Sequence, residues 1–251
     1  MIKALQIAFY LFLIWGCTKP RVSRFGSTPP VIITPPVTSD PVISTTNDTV
    51  NIKTYLALGD SYTFGQSVLE KQRLPDQISS QLNGLGVKVS APEVIAQSGW
   101  TTNDLLSKLN TDPPHLPIYT FVTVLIGVNN QYQGRSQDEY REQFSELLDK
   151  AITYTGNISN RVFVLSIPDW SVTPFANNTD RNLVSRQIDS FNVINKQISL
   201  QKKVRYTDVT DISRLAATDP SLIASDGLHP SGDQYRMWAN RLVTTIRATF
   251  Y

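Results

Sequence analysis

Three residues at opposite ends of the chain could together perform nucleophilic catalysis. Ser61 follows an apolar run and an aspartate, so a strand would deliver its hydroxyl into a turn. Near the other end, Asp226 precedes His229 by three residues. A serine becomes a useful nucleophile when a histidine accepts its proton and an acid orients that histidine. We therefore expect Ser61 as nucleophile, His229 as base and Asp226 as the acid that folds back onto the imidazole.

Simpler interpretations exist for the same residues. Ser61 could be a helix cap or a turn serine, with Asp60 bracing the turn. Asp226 could cap a turn before a proline. The second histidine, His115, is flanked by prolines, and we assign it to a surface loop.

Two further polar blocks each follow a predicted strand. Ser98 and Gly99 come after the apolar residues 94–96, and Asn129 follows the apolar run 121–126 and a glycine. Glycine permits backbone conformations that other residues avoid, and asparagine offers a side-chain amide donor. Gly99 could nevertheless be only a turn glycine, and Asn129 only a cap at a strand end.

All four blocks occur in a fixed order: Gly59-Asp60-Ser61, then Gly99, then Gly127-x-Asn129, then Asp226-x-x-His229. A chain with these blocks resembles the SGNH hydrolases, also called the GDSL esterase/lipase family, from about residue 55 to the C-terminus. The resemblance implies that Ser61 attacks an ester carbonyl. It also implies an oxyanion hole built from the backbone N–H groups of Ser61 and Gly99 and the side-chain amide of Asn129. The third block usually ends in aspartate, and Asn130 stands there instead, which puts the local hydrogen bonding of that loop in question.

Composition limits the other functions that this chain could have. Its 251 residues are 41% hydrophobic, and the part after the N-terminal segment has the length of one catalytic domain. A net charge of +2, without clustering, does not favour nucleic-acid binding. The sequence has no His-Glu-x-x-His, cysteine cluster or phosphate-loop motif, so we predict neither a metal nor a cofactor.

The N-terminus has the pattern of an exported protein. Residues 1–16 read as a signal peptide with Lys3 as its positive end, and the only cysteine, Cys17, follows Gly16 as in a bacterial lipobox. We expect Cys17 to be lipidated, with residues 17–50, rich in Pro, Ser and Thr, as a tether to a domain at 51–251. The two residues after the cysteine are Thr18 and Lys19, and neither is an aspartate. By the sorting rule of bacterial lipoproteins, this favours a location at the outer membrane or cell surface. The alternative is an ordinary signal peptide with an incidental thiol.

The pattern of apolar residues predicts an α/β fold. Short apolar runs predict strands near 54–59, 87–96, 118–126, 161–167 and 204–207. Between them, apolar residues recur at helical spacing, which gives two clear stripes over 140–151 and 184–198. Strands separated by helices imply a parallel sheet with both faces covered. The resemblance implies the same architecture: a flavodoxin-like three-layer α/β/α sandwich with a five-stranded parallel sheet, with its site at the carboxyl ends of the strands.

These observations predict a serine esterase that acts on short-chain esters, such as acetyl esters of carbohydrates or other small molecules. A lipase, lysophospholipase or thioesterase would use the same residues. A surface glycan-binding module that has lost turnover is an alternative from another class. Four aromatic residues lie in or near loops that should rim the site: Trp100, Tyr132, Trp170 and Phe175. Packing in the core is the alternative for any one of them. The sequence does not indicate an oligomeric state.

Overall fold

A computed structural model describes residues 51–251 of the chain. The predicted signal peptide, the lipidation site at Cys17 and the tether lie outside the described residues. Five strands form the sheet: β1 (Tyr55–Gly59), β2 (Glu93–Ala96), β3 (Phe121–Leu125), β4 (Val162–Leu165) and β5 (Arg205–Thr207). In the described part of the chain, eight α-helices accompany it: α1 (Ser61–Phe64), α2 (Leu74–Gly84), α3 (Thr102–Thr111), α4 (Val128–Tyr132), α5 (Gln137–Thr153), α6 (Arg181–Gln201), α7 (Thr210–Arg214) and α8 (Gly232–Arg247).

The strands pair in the order β2-β1-β3-β4-β5, and every pair is parallel. This confirms the predicted five-stranded parallel sheet. Four of the predicted strands overlap the observed strands to within three residues at each end. The second was predicted too long, since β2 begins at Glu93 rather than at residue 87. Pro92 has no backbone N–H to offer a ladder, and the preceding Val89 forms only an isolated bridge with Lys53.

Helices cover both faces of the sheet. On one face α2 packs against α8, and on the other α3, α5 and α6 lie side by side. The two predicted stripes are the buried sides of α5 and α6, and their residues are Tyr140, Phe144, Leu147, Leu148 and Ala151, then Val184, Ile188, Phe191, Ile194 and Ile198. Burial of such stripes, more than intrinsic helix propensity, holds helices in place. Within residues 51–251, no helix combines the length and the apolar character needed to cross a bilayer.

Strand order reverses at β1, which has β2 on one side and β3 on the other. In open parallel sheets, ligands bind outside the carboxyl ends of the strands at such a point. Ser61 follows β1, Gly99 follows β2 and Asn129 follows β3. The topology therefore brings the first three sequence blocks to one edge of the sheet.

Candidate active site

Ser61 is held by a tight connection between β1 and α1. Each residue of β1 is buried, and Asp60 caps α1 by accepting a hydrogen bond from the backbone N–H of Tyr62 at 3.0 Å. There is no space for a side chain at Gly59, because a Cβ atom would lie under 3.0 Å from Thr63 Oγ1 and from the backbone oxygen of Leu125. Ser61 is then the first residue of α1 and is only 6% exposed. The core itself thus fixes the position of this serine.

Asp226 and His229 lie in a loop that precedes α8. Asp226 Oδ2 is 2.6 Å from His229 Nδ1, and Asp226 Oδ1 accepts hydrogen bonds from the backbone N–H groups of Leu228 and His229 at 2.9 and 3.0 Å. Burial alone would raise the pKa of Asp226. Hydrogen bonds from Ser67 and from the backbone and ring of His229 instead hold this pKa well below its usual range. The carboxylate is therefore charged and faces the imidazole.

The loop that carries this pair is closed by backbone hydrogen bonds. The N–H of Ala224 donates to the carbonyl oxygen of His229 at 2.7 Å, and Ile223 forms an antiparallel bridge with Pro230. Gly227 has a φ of 73°, in the left-handed region that favours glycine. The His229 ring also meets the edge of the Tyr62 ring, with centroids 5.6 Å apart, and Tyr62 follows Ser61 in α1.

Ser61 and His229 line one cavity of about 200 Å³. Gly99 and Asn129 line the same cavity, so the structure brings together residues from all four sequence blocks. Within residues 51–251, no hydrogen bond joins the Ser61 hydroxyl to His229. Catalytic hydrogen bonds are often long without substrate and tighten in the complex.

The expected oxyanion donors border this cavity. Gly99 has a φ of 85°, and the backbone N–H groups of Ser61 and Gly99 donate no hydrogen bond to another group in the described part of the chain. The amide of Asn129 donates one hydrogen bond to the carbonyl oxygen of Trp100 at 2.9 Å. An amide carries two hydrogens, so this bond fixes the side chain of Asn129 and leaves a second donor.

Residues 57–237 match the model of the GDSL-like Lipase/Acylhydrolase family. The chain belongs to this family. It is therefore a carboxylic ester hydrolase. No curated protein matches the sequence.

Solved structures with the same fold include several ester hydrolases. TesA has a TM-score of 0.60 and 17% identity, over 78% of this chain and 99% of its own. An acetylxylan esterase from Geobacillus stearothermophilus has a TM-score of 0.61 and 16% identity, over 77% of this chain and 94% of its own. A lipase/acylhydrolase from Enterococcus faecalis has a TM-score of 0.61 and 18% identity, over 78% and 96%. At these identities the likeness establishes the fold.

Asn130, which replaces the usual aspartate of this family, braces two loops against each other. It is fully buried, its Oδ1 accepts from the backbone N–H of Thr102 at 3.0 Å, and its Nδ2 donates to Thr102 Oγ1 at 2.7 Å. Thr102 Oγ1 then donates to Gln143 at 2.5 Å. An amide satisfies this chain of donors and acceptors without a buried charge. The loops after β2 and β3 are thus held together despite the departure from the family pattern.

Three of the four expected aromatic residues line the cavity. Trp170 is buried, and its Nε1 donates to Gln131 at 2.9 Å. The half-exposed rings of Tyr132 and Phe175 pack against it with centroid distances of 5.7 and 5.8 Å. We call Tyr132, Trp170 and Phe175 the aromatic wall. Trp100 does not line this cavity: it follows the core-packing alternative, partly buried against the core, and borders a separate cavity beside β2.

The sequence contains a second Asp-x-x-His pair, Asp112 and His115, which the structure places away from Ser61. His115 is exposed, as predicted, and its Nδ1 lies 3.1 Å from Glu93 in the cavity beside β2. Asp112 pairs instead with Lys108 at 2.5 Å. This spacing alone does not identify a catalytic pair, whereas the cavity shared with Ser61 distinguishes His229.

Asp60 has a second property that its role as a cap does not explain. Burial raises the pKa of this fully buried carboxyl to about 7, although the N–H of Tyr62 donates to it. Its Oδ2 has no hydrogen-bond partner in the described residues. The carboxyl next to the predicted nucleophile therefore changes protonation close to neutral pH.

Proposed function

We propose that the protein is a serine esterase in which Ser61 forms an acyl-enzyme, His229 transfers protons and Asp226 orients His229. The observation that carries this proposal is the 2.6 Å contact between Asp226 Oδ2 and His229 Nδ1, beside the cavity that Ser61 lines. With Nδ1–H donated to the carboxylate, Nε2 is the basic nitrogen that accepts the serine proton.

The reaction proceeds in two halves. Ser61 Oγ bonds to the ester carbonyl carbon while its proton passes to His229 Nε2, and the carbonyl oxygen becomes an oxyanion. The N–H groups of Ser61 and Gly99 and the amide of Asn129 stabilise that oxygen. Collapse breaks the bond to the alcohol, which leaves with the proton from His229. Water then attacks the acyl carbon with His229 as base, which releases the acid and restores Ser61.

The preferred substrates are short-chain esters, such as acetyl esters of carbohydrates or other small molecules. A cavity of about 200 Å³ is small compared with the roughly 300–1,000 Å³ of pockets for drug-sized ligands, which suits a short acyl group. Half-exposed Tyr132 and Phe175 offer ring faces on which a sugar could stack outside the acyl site. The acetylxylan esterase among the structures of the same fold agrees with this class.

A chain-length series tests the substrate class. We expect kcat/KM for p-nitrophenyl acetate to exceed that for the butyrate, and that for the butyrate to exceed that for the octanoate. A preference for the octanoate would favour the lipase or lysophospholipase alternative, and a preference for acyl thioesters the thioesterase. Glycan binding without hydrolysis of any ester would identify an idle binding module.

Covalent labelling tests the nucleophile. A fluorophosphonate probe should label the wild-type protein and fail to label Ser61→Ala. Ser98→Ala is the matched control, because Ser98 lines the same cavity but its hydroxyl donates to Gln66 at 2.7 Å. Labelling that persists in Ser61→Ala would overturn the proposed role of Ser61.

We also propose that the enzyme is exported and held at the outer membrane or cell surface by a lipid on Cys17, with residues 51–251 as the catalytic domain. Cys17→Ser should then move activity from the membrane to the soluble fraction, because the cysteine would carry the anchor. A fragment beginning at Asn51 should be fully active. If the mass of the wild-type protein showed no added acyl chains, the sequence around Cys17 would be only the end of an ordinary signal peptide.

A further inference from the structure

Ser67 has an unusual backbone conformation close to the candidate site. Its φ is 65°, in the left-handed region that costs a residue other than glycine roughly 1–2 kcal/mol. Among residues 51–251, only Asn157 and Lys203 are other non-glycine residues with positive φ, and both lie in the turns that end α5 and α6. Ser67 likewise lies in the turn that ends a helix, in its case α1, which begins with Ser61. Such conformations persist where surrounding contacts require them.

The side chain of Ser67 reaches across to the other end of the chain. Its Oγ donates a hydrogen bond of 2.6 Å to Asp226 Oδ2, the oxygen that also lies 2.6 Å from His229 Nδ1. The two residues are 159 positions apart in the sequence. A hydroxyl bonded to a carboxylate is a charge-assisted contact, which is stronger than a bond between neutral groups.

The two oxygens of Asp226 are held in different ways. Oδ1 is bound by backbone N–H groups of its own loop, those of Leu228 and His229. Apart from the imidazole, Oδ2 is bound by Ser67 alone within the described residues. The plane of the carboxylate, and with it the direction in which His229 is held, therefore depends on a contact from outside the loop.

Ser67 also belongs to the same short turn as the predicted nucleophile. The backbone N–H groups of Gly65 and Gln66 both donate to the carbonyl oxygen of Ser61, at 2.9 and 3.1 Å. This turn connects Ser61 rigidly to the residue that contacts Asp226. One hydroxyl thus joins the loop of the nucleophile to the loop of the acid and base.

We propose that Ser67 is a positioning residue for this reaction: its hydroxyl fixes the carboxylate of Asp226 against His229 and sets the distance between that pair and Ser61. The inference depends on the proposed serine-esterase function.

Two substitutions of Ser67 separate positioning from a structural role. Ser67→Ala and Ser67→Gly both remove the hydroxyl, but glycine relieves the left-handed conformation that alanine leaves strained. We expect both variants to lower kcat by about tenfold with KM within twofold, as for loss of one charge-assisted hydrogen bond. The melting temperature should be lower for Ser67→Ala than for Ser67→Gly.

Ser221→Ala is the matched control. The hydroxyl of Ser221 donates to Asp219 at 2.6 Å in an exposed turn outside the cavity, and its removal should leave kcat and KM unchanged. The proposed positioning role of Ser67 would be wrong if Ser67→Gly kept the wild-type kcat. It would also be wrong if kcat fell in proportion to the melting temperature across the variants, since stability alone would then explain the loss. That failure differs from failure of the proposed function, which would appear as full activity in Ser61→Ala.

Discussion

The two halves of the candidate site are held by different forces. Ser61 follows a fully buried strand, is 6% exposed itself, and is fixed by a turn in which Gly59 has no space for a side chain. The side chain of Asp226 is 28% exposed, in an irregular loop held by a few hydrogen bonds. Core packing therefore sets the position of the serine, and polar contacts set the position of the base. Changes near the serine should act through folding, and changes in the loop should act through chemistry.

His229→Ala gives the largest expected effect and tests the chemical half of this comparison. We expect kcat/KM to fall by about 10⁴-fold, because Ser61 would lose the imidazole that accepts its proton. The melting temperature should change little, since the loop stays closed by its backbone hydrogen bonds. The matched control is His115→Ala, which removes the other Asp-x-x-His histidine and should leave kcat/KM within twofold. A larger loss in His115→Ala would show that the wrong histidine was chosen.

Gly59→Ala tests the packing half. A Cβ atom there would meet Thr63 Oγ1 and the backbone oxygen of Leu125 at under 3.0 Å, and the backbone oxygen cannot move away alone. We expect the free energy of unfolding in urea to fall by about 3 kcal/mol. Gly84→Ala, at the end of α2 with nothing within 4 Å of the new atom, should be neutral or stabilising. Equal stabilities for the two variants would contradict the tight turn.

Most of the fold could be predicted from the sequence, because each apolar run or stripe reports burial locally. The stripe from Tyr140 to Ala151 became the buried face of α5, and four strands lay where short apolar runs predicted them. The error at the start of β2 arose because Val87 and Val89 are buried outside the sheet ladder, before Pro92. Burial and strand pairing are different properties, and an apolar run reports only the first.

The site could be predicted only where a motif marked it. Ser61, Gly99, Asn129, Asp226 and His229 lie around one cavity or beside it, and each belonged to a recognisable block. Ser67 had no signal, because neither a left-handed serine nor a contact over 159 residues is visible in a local pattern.

Asn129→Ala sharpens the comparison, because this residue follows β3 and lines the cavity that both halves border. We expect kcat to fall by about 10²-fold with KM nearly unchanged, since the amide acts on charge that develops only in the transition state. Gln133→Ala is the control, because Gln133 donates only a long, exposed hydrogen bond to Gly99 at 3.4 Å. An effect of Asn129→Ala confined to KM would make Asn129 a substrate-binding residue instead.

Asp60→Asn gives the smallest effect, and it appears as a dependence of stability on pH. Burial raises the pKa of Asp60 from 3.8 to about 7, and its Oδ2 has no partner in the described residues. Asparagine retains an oxygen that can cap α1 by accepting from the N–H of Tyr62, but it never carries a charge. We therefore expect the variant to gain stability relative to the wild type as the pH rises from 5 to 8, by about 2–3 kcal/mol.

The direction of this effect follows from proton binding in the two states. Between about pH 4 and pH 7 the folded protein keeps the proton on Asp60, whereas the unfolded chain, with its lower pKa, has released it. The contribution of Asp60 to the free energy of unfolding therefore falls as the pH rises through this window, and that of asparagine does not. Urea unfolding of both proteins at pH 5, 6, 7 and 8 measures the difference. A constant difference across that range would mean that Asp60 stays ionised in the fold, so that burial beside Ser61 does not control its charge.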